Sequence, residues 1–317
     1  MNKHTEKRGE NMKKGTAVAI ISLAILMPSI IMSGCLDNSH DNRLNVVVTF
    51  YPLAFLTEMI GGDNVTVTTL IPQNTEVHTW EPKTSDIVKA DDAGLLIYNG
   101  AGLERWIGDL FTSINMKNKV IVDCTENVSL LDINSMNYTN NADNTDPHTW
   151  LDPVNAKEEA KAILNGLCKA DPNNSTFYHE RAKTVFAKLD ELNNSFEENL
   201  SNKSVDEIIA AHDAYRYLGK RYGFNATGIV DISGDKQPST SEMDKIATYM
   251  EEKNIYTLYT TPEFSDAYVQ SLKNTLEEDT GHNVTILPLY TMTGEINGMN
   301  FYEMNEKNIE NLKVGLV

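Results

Sequence analysis

Short apolar, β-branched runs alternate with amphipathic segments in both halves of this 317-residue chain. The runs predict strands at residues 46–51, 65–70, 93–98, 120–122, 208–211, 228–232, 256–260 and 284–289. The segments between and after them predict helices at 53–60, from about 85, and at 103–114, 156–168, 215–222, 241–253, 265–279 and 302–316. Because strands joined by helices favour parallel pairing, the alternation predicts an α/β fold with two parallel-sheet lobes.

The longest helical pattern lies between the two halves, from about Ser175 to Leu200. Apolar residues recur there mostly at three- and four-residue spacing, which indicates one buried stripe. A helix of roughly 25 residues is about 40 Å long, enough to run across two lobes. We therefore expect an N-terminal lobe at 45–170, a linking helix at 171–202 and a C-terminal lobe at 203–317.

Residues 1–35 have the pattern of an export signal. Lys13 and Lys14 precede an apolar run at 16–31, which is short for a membrane span and ends close to Gly34-Cys35. A small residue before cysteine favours a lipoprotein signal, whose cleavage leaves Cys35 as a lipidated N-terminus. The alternative is an uncleaved signal anchor. In the lipoprotein case residues 36–44 form a polar tether, and in both cases the body of the protein lies on the extracytoplasmic face of the cell membrane.

The formal net charge of -18 limits the classes of partner. It argues against nucleic acid, because binding to phosphates needs an excess of lysine and arginine. It favours long-range attraction of cations. Besides Cys35, the chain has only Cys124 and Cys168. Two cysteines cannot form a disulfide framework. They either pair with each other or lie buried as small apolar residues, and the sequence leaves both alternatives open. The Asn-X-Ser/Thr sequons permit glycosylation without establishing it.

Three of the seven histidines occur in settings that suggest a site. His78 follows the second strand, His148 precedes a helix that begins with Asp152-Pro153, and His212 ends the first strand of the second half. Open α/β sheets bind ligands beyond the carboxyl ends of their strands, which favours His78 and His212. The three residues are too far apart in sequence to form a local metal motif. Pattern alone therefore leaves a metal site and structural histidines as equal alternatives.

Several segments together resemble the solute-binding receptors of zinc and manganese ABC importers, a family that includes adhesin-type lipoproteins. They occur in order at residues 50–53, 78–82, 99–104, 146–153, 212–215, 237–239 and 301–304, with Asn308. The resemblance extends from about Asn45 to Val317. It implies two similar α/β lobes joined by a rigid helix, with a metal ion in the cleft between them.

By position, His78, His148 and His212 match three metal ligands of that family. A histidine at the third position is typical of its zinc-type members, and imidazole suits zinc better than manganese. The resemblance therefore implies Zn²⁺, with Mn²⁺ as the alternative. The usual fourth ligand, a carboxylate after the last strand, is replaced by Leu287. Either Glu295 or a water molecule would complete the coordination.

Three histidines and an open position also describe catalytic zinc. A zinc hydrolase would need a general base, and Glu81 and Asp213 lie beside ligand histidines in sequence. We prefer the interpretation that both carboxylates orient imidazole rings. A metal-containing adhesin is the other alternative. We expect a monomeric, non-enzymatic receptor that binds Zn²⁺ more tightly as the pH rises past about 6.5 and passes it to an ABC permease and its ATPase.

Overall fold

The computed structural model describes residues 43–133, 145–232 and 237–317, all within one compact unit. The expectations about the export signal, Cys35 and most of the tether lie outside the described residues. No helix in the described ranges is both long enough and apolar enough to cross a membrane. Within those ranges Cys124 and Cys168 are free thiols, so the disulfide alternative is excluded for this pair.

The N lobe is built on a four-stranded parallel sheet in the order β2-β1-β3-β4. Its strands are β1 (Leu44–Val48), β2 (Val65–Thr69), β3 (Leu95–Tyr98) and β4 (Val120–Asp123). Its helices are α1 (Tyr51–Gly61), α2 (Thr84–Asp92), α3 (Ile107–Ser113) and α4 (Pro153–Ala170). Val46, Val47 and Val48 are all buried, as expected for a central strand covered on both faces.

The C lobe repeats this arrangement, with a parallel sheet in the order β6-β5-β7-β8. Its strands are β5 (Glu207–His212), β6 (Asn225–Val230), β7 (Thr257–Thr260) and β8 (Thr285–Pro288). Its helices are α6 (Arg216–Tyr222), α7 (Thr240–Lys253), α8 (Ala267–Thr280) and α9 (Phe301–Leu316). The alternation in the sequence thus correctly predicted two parallel α/β lobes.

The ends of the helices follow local chemistry. Asp152 caps α4 by accepting a hydrogen bond from the Val154 amide, and Pro153 takes the first helical position. One boundary differs from the prediction, because α3 begins at Ile107 and not near residue 103. Residues 100–102 have positive φ angles, which a right-handed helix cannot accommodate, so the chain turns before the helix starts.

The linking helix α5 (Ser175–Asn199) connects the two lobes. Its buried face consists of Tyr178, Ala182, Val185, Leu189, Leu192 and Phe196. Arg181 donates to the carbonyl of Met59 in α1 over 2.9 Å, and Lys188 pairs with Glu306 in α9 over 3.0 Å. Because α5 contacts helices of both lobes, it connects the two lobes rigidly.

The two lobes share one hydrophobic core, and the C lobe also has a second core of its own. At the boundary Phe55 of α1 stacks on Phe301 of α9 with ring centroids 5.7 Å apart, and Tyr302 meets Phe55 edge-on at 4.9 Å. Separating the lobes there would expose this apolar surface to water. Together with α5, the shared core favours small movements between the lobes.

Candidate metal centre

The three histidines converge in the interior between the lobes. The Nε2 atoms of His78 and His148 lie 3.2 Å apart, and those of His148 and His212 lie 3.1 Å apart. All three residues are buried, and among the described residues they form a group of possible metal ligands whose ligand atoms lie within 4.8 Å of one another. In a tetrahedral zinc site the nitrogen ligands are roughly 3.3–3.4 Å apart. The observed spacing therefore suits one ion touching all three rings.

Strand ends and short loops position these rings. His212 is the last residue of β5, a central strand of the C lobe sheet. His78 lies in the turns after β2, and His148 directly precedes a short 3₁₀ turn (Thr149–Leu151) that leads to α4. This places His212 at the carboxyl end of its strand and His78 beyond that of β2, where open α/β sheets bind ligands, as the sequence predicted.

Two of the rings have acceptors that orient them. Asp146, fully buried, accepts from His148 Nδ1 over 2.9 Å and from the His148 amide over 3.0 Å. The ring of His212 donates to the backbone carbonyl of Asp231. With Nδ1 of His148 thus engaged, its Nε2 is left as the metal-binding atom. Sequence reasoning missed both acceptors, although the position of Asp146, two residues before a candidate ligand, was a usable signal for one of them.

The three predicted carboxylates lie outside the group of possible metal ligands that the described residues form. Glu81 is exposed on the wall of a larger cavity that His78 also lines, and Asp213 forms an ion pair with Arg216. Glu295 is exposed and lies outside the group of possible metal ligands found among the described residues. Its amide donates to Gln73 Oε1 over 2.9 Å, which places it at the lobe boundary but not in the histidine cluster.

A tight wall of apolar and polar side chains surrounds the cluster. Trp150 is almost fully buried, with its ring centroid 5.3 Å from that of His148, and its indole donates to the Thr291 carbonyl over 2.8 Å. The cavity at the rings measures about 10 Å³ and is also lined by Phe264 and Thr293. That volume is about the size of one water molecule. The site therefore suits a bare ion better than a large substrate.

Burial keeps two of the rings neutral. It lowers the pKa of His78 well below 6.5 and that of His212 to about 3, and a positive charge on neighbouring His148 would lower both further. Neutral imidazole is the form that binds metal. The expectation that binding tightens as the pH rises past about 6.5 is therefore wrong for these two rings, because they lose their protons far below that pH.

A buried cluster of three imidazoles between two α/β lobes defines a class of protein: a two-lobed receptor for a transition-metal ion. The chain belongs to the family described as zinc-uptake complex component A, periplasmic (ZnuA), whose profile matches residues 46–315. Its members are binding proteins, so the chain is a receptor and not a hydrolase.

Individual relatives agree with this assignment. The chain is 28% identical to the high-affinity zinc uptake system protein ZnuA of Bacillus subtilis, over 96% of this chain and 98% of that protein. It resembles the crystal structure of the metal-dependent lipoprotein YcdH of Bacillus subtilis, with 30% identity, a TM-score of 0.73, and coverage of 86% and 99%. The Zn(II)-bound ZnuA-like domain of Streptococcus pneumoniae AdcA gives 27% identity, a TM-score of 0.73, and coverage of 86% and 98%. The match spans 56% of full-length AdcA.

Proposed function

We propose that this chain captures Zn²⁺ outside the cell membrane with His78, His148 and His212 and delivers it to an ABC permease driven by its ATPase. The convergence of three buried Nε2 atoms at spacings of 3.1 and 3.2 Å is the observation that carries this proposal. Delivery to an ABC importer is inferred from the family to which the chain belongs. A lipid on Cys35 would hold the monomeric receptor at the membrane surface.

The donor set favours zinc over manganese. All three ligands are nitrogens, and among the described residues no carboxylate joins them. Imidazole suits zinc, whereas manganese prefers carboxylate and water oxygens. We assign the fourth position to a water molecule, because Glu295 is exposed and lies outside the group of possible ligands among the described residues. The net charge of -18 raises the concentration of cations near the surface.

Competition between the two metals tests the proposal. Metal-free protein is titrated with Zn²⁺ in the presence and absence of excess Mn²⁺, and bound metal is measured by elemental analysis. We expect one tightly bound Zn²⁺ per chain and about a hundredfold preference over Mn²⁺, because manganese lies at the weak end of the affinity series. Equal affinity for the two metals would contradict the assignment. In cells, loss of the chain should slow uptake of radioactive zinc and leave manganese uptake unchanged.

The lowered pKa values give a second expected result. Three ordinary histidines competing with protons would make log K for zinc fall by three units per pH unit below about 6.5. Because His78 and His212 have pKa values far below that, they stay neutral and do not compete. We therefore expect log K to fall by clearly less than three units per pH unit just below about pH 6.5. Calorimetric titration across this range measures the slope, and a slope near three would show that the rings titrate normally.

A further inference from the structure

Helix α6 of the C lobe forms hydrogen bonds and an ion pair with the segment of the N lobe that carries His148. Tyr217 and Arg221 are four residues apart on this helix, so both point from the same face. Each makes a polar contact with one end of residues 146–152. These contacts cross the boundary between the lobes, next to the metal centre.

Tyr217 holds the first end of that segment. Its hydroxyl donates to the Asp146 carbonyl over 2.7 Å and accepts from the Leu131 amide over 3.0 Å. The Asp146 amide in turn donates to the Leu131 carbonyl over 3.0 Å. The backbone of Asp146 is therefore fixed from two sides, and its carboxylate is the group that orients the His148 ring.

Arg221 holds the other end. Its Nε lies 2.6 Å from both carboxylate oxygens of Asp152, which is buried and caps α4. Nη2 of the same guanidinium also donates to Asn155 Oδ1 over 3.4 Å, so Arg221 contacts two neighbouring residues at the start of α4. His148 lies between the two anchored residues, four positions before Asp152, so its backbone has little freedom to move.

The start of α6 is in turn tied to the third ligand. Asp213, directly after His212, forms a buried ion pair with Arg216 in the first turn of α6. Gly228 of β6 packs so closely under this turn that a Cβ there would lie 2.4 Å from the Asp213 amide nitrogen. One short helix therefore connects His212 rigidly to the segment that carries His148.

We propose that Tyr217 and Arg221 are positioning residues that set the spacing between His148 and His212 and thereby slow the release of Zn²⁺. This inference rests on the proposed function, in which these histidines hold the ion. Opening the cleft on this side requires the Tyr217 and Arg221 contacts to break. Dissociation is therefore expected to depend on both residues more than association does, because one ring can capture the ion before the other two are aligned, whereas release requires the rings to separate.

Stopped-flow mixing of zinc-loaded protein with excess chelator measures the dissociation rate. We expect Tyr217→Phe and Arg221→Gln each to raise it about five- to tenfold, the value of one such hydrogen bond or ion pair. The association rate should change less than twofold. Arg221→Lys should bring the dissociation rate partway back to the wild-type value, because lysine keeps the charge beside Asp152 but loses the contact with Asn155 Oδ1.

Two variants on the same helix serve as matched controls. Tyr222→Phe removes a hydroxyl that bonds to Asn193 of α5 over 3.1 Å, and Lys220→Gln removes an exposed charge. Both should leave the dissociation rate at the wild-type value. If Tyr217→Phe and Arg221→Gln dissociate no faster than these controls, the positioning role is refuted while zinc binding stands. If the wild-type protein does not bind zinc at all, the proposed function itself fails. Should Arg221→Gln not fold, Tyr217→Phe, which loses a single oxygen, decides the question.

Discussion

Replacement of His148 by alanine is expected to weaken zinc binding by about three orders of magnitude. His148 occupies the middle of the cluster, with its Nε2 3.2 Å from that of His78 and 3.1 Å from that of His212. Its removal leaves two nitrogens that no longer surround an ion. Isothermal titration with Zn²⁺, using a competing chelator to bring the wild-type affinity into range, measures the loss.

His179 provides the matched control for this experiment. It is an exposed histidine on α5, and its Nδ1 lies 2.8 Å from the Ser175 carbonyl. His179→Ala removes the same side chain and should leave the zinc affinity unchanged. Circular dichroism and urea unfolding of both variants establish that the fold is retained. An unaltered affinity in His148→Ala would show that the ion binds elsewhere.

Replacement of Glu159 by glutamine is expected to stabilise the metal-free protein by about 3 kcal/mol at neutral pH. Glu159 lies on α4 and is fully buried. Burial raises its pKa from 4.5 to about 8; the Thr149 hydroxyl opposes the rise, whereas the neighbouring carboxylates Asp152 and Glu104 add to it. The folded protein therefore keeps this carboxyl protonated at pH 7, whereas the unfolded chain releases the proton.

The sign of the pH dependence follows from this shift. A group whose pKa is higher in the folded state contributes its full stability below the unfolded value of about 4.5 and loses it as the pH rises towards about 8. Glutamine does not titrate, so Glu159→Gln should lose less stability than wild type over this range. Urea unfolding at about pH 5 and 7.5 gives the difference, with Glu158→Gln, a less buried neighbour paired with Lys161, as control. Identical pH profiles for wild type and Glu159→Gln would contradict the shift.

The sequence predicted the fold more completely than the site. Both sheets, the 25-residue linking helix and the cap at Asp152-Pro153 follow from local periodicity and local hydrogen-bonding chemistry. The prediction placed the start of α3 too early, because the apolar spacing is helical from residue 103 onwards. Positive φ angles at residues 100–102 make the chain turn there, and the helix begins later. Apolar spacing reports which face is buried, and it says little about where a turn ends.

The three histidines that lie together could be named from the sequence, and the contacts that support them could not. His78 and His212 could be placed because strand ends mark the edge of a sheet where ligands bind. Asp213 lies beside His212 in sequence, but its carboxylate pairs with Arg216. The acceptor for His212 is the carbonyl of Asp231, which follows the neighbouring strand. Contacts of this kind depend on how strands pair and which way each side chain points, which sequence proximity does not report.

Burial also explains why the structure predicts a weaker pH dependence of zinc binding than the sequence does. From sequence, each histidine has its ordinary pKa near 6.5. The fold removes His78 and His212 from water and places each next to other imidazoles, and both effects disfavour the charged ring. These two rings are therefore held in their metal-binding form before any ion arrives.

The zinc K-edge X-ray absorption spectrum of the protein carrying one equivalent of Zn²⁺ tests most directly whether three histidines share one ion. We expect a four-coordinate first shell at about 2.0–2.1 Å with the outer-shell scattering of three imidazoles and one oxygen from water. A first shell with sulfur, or with fewer than three imidazoles, would show that His78, His148 and His212 do not bind the ion together.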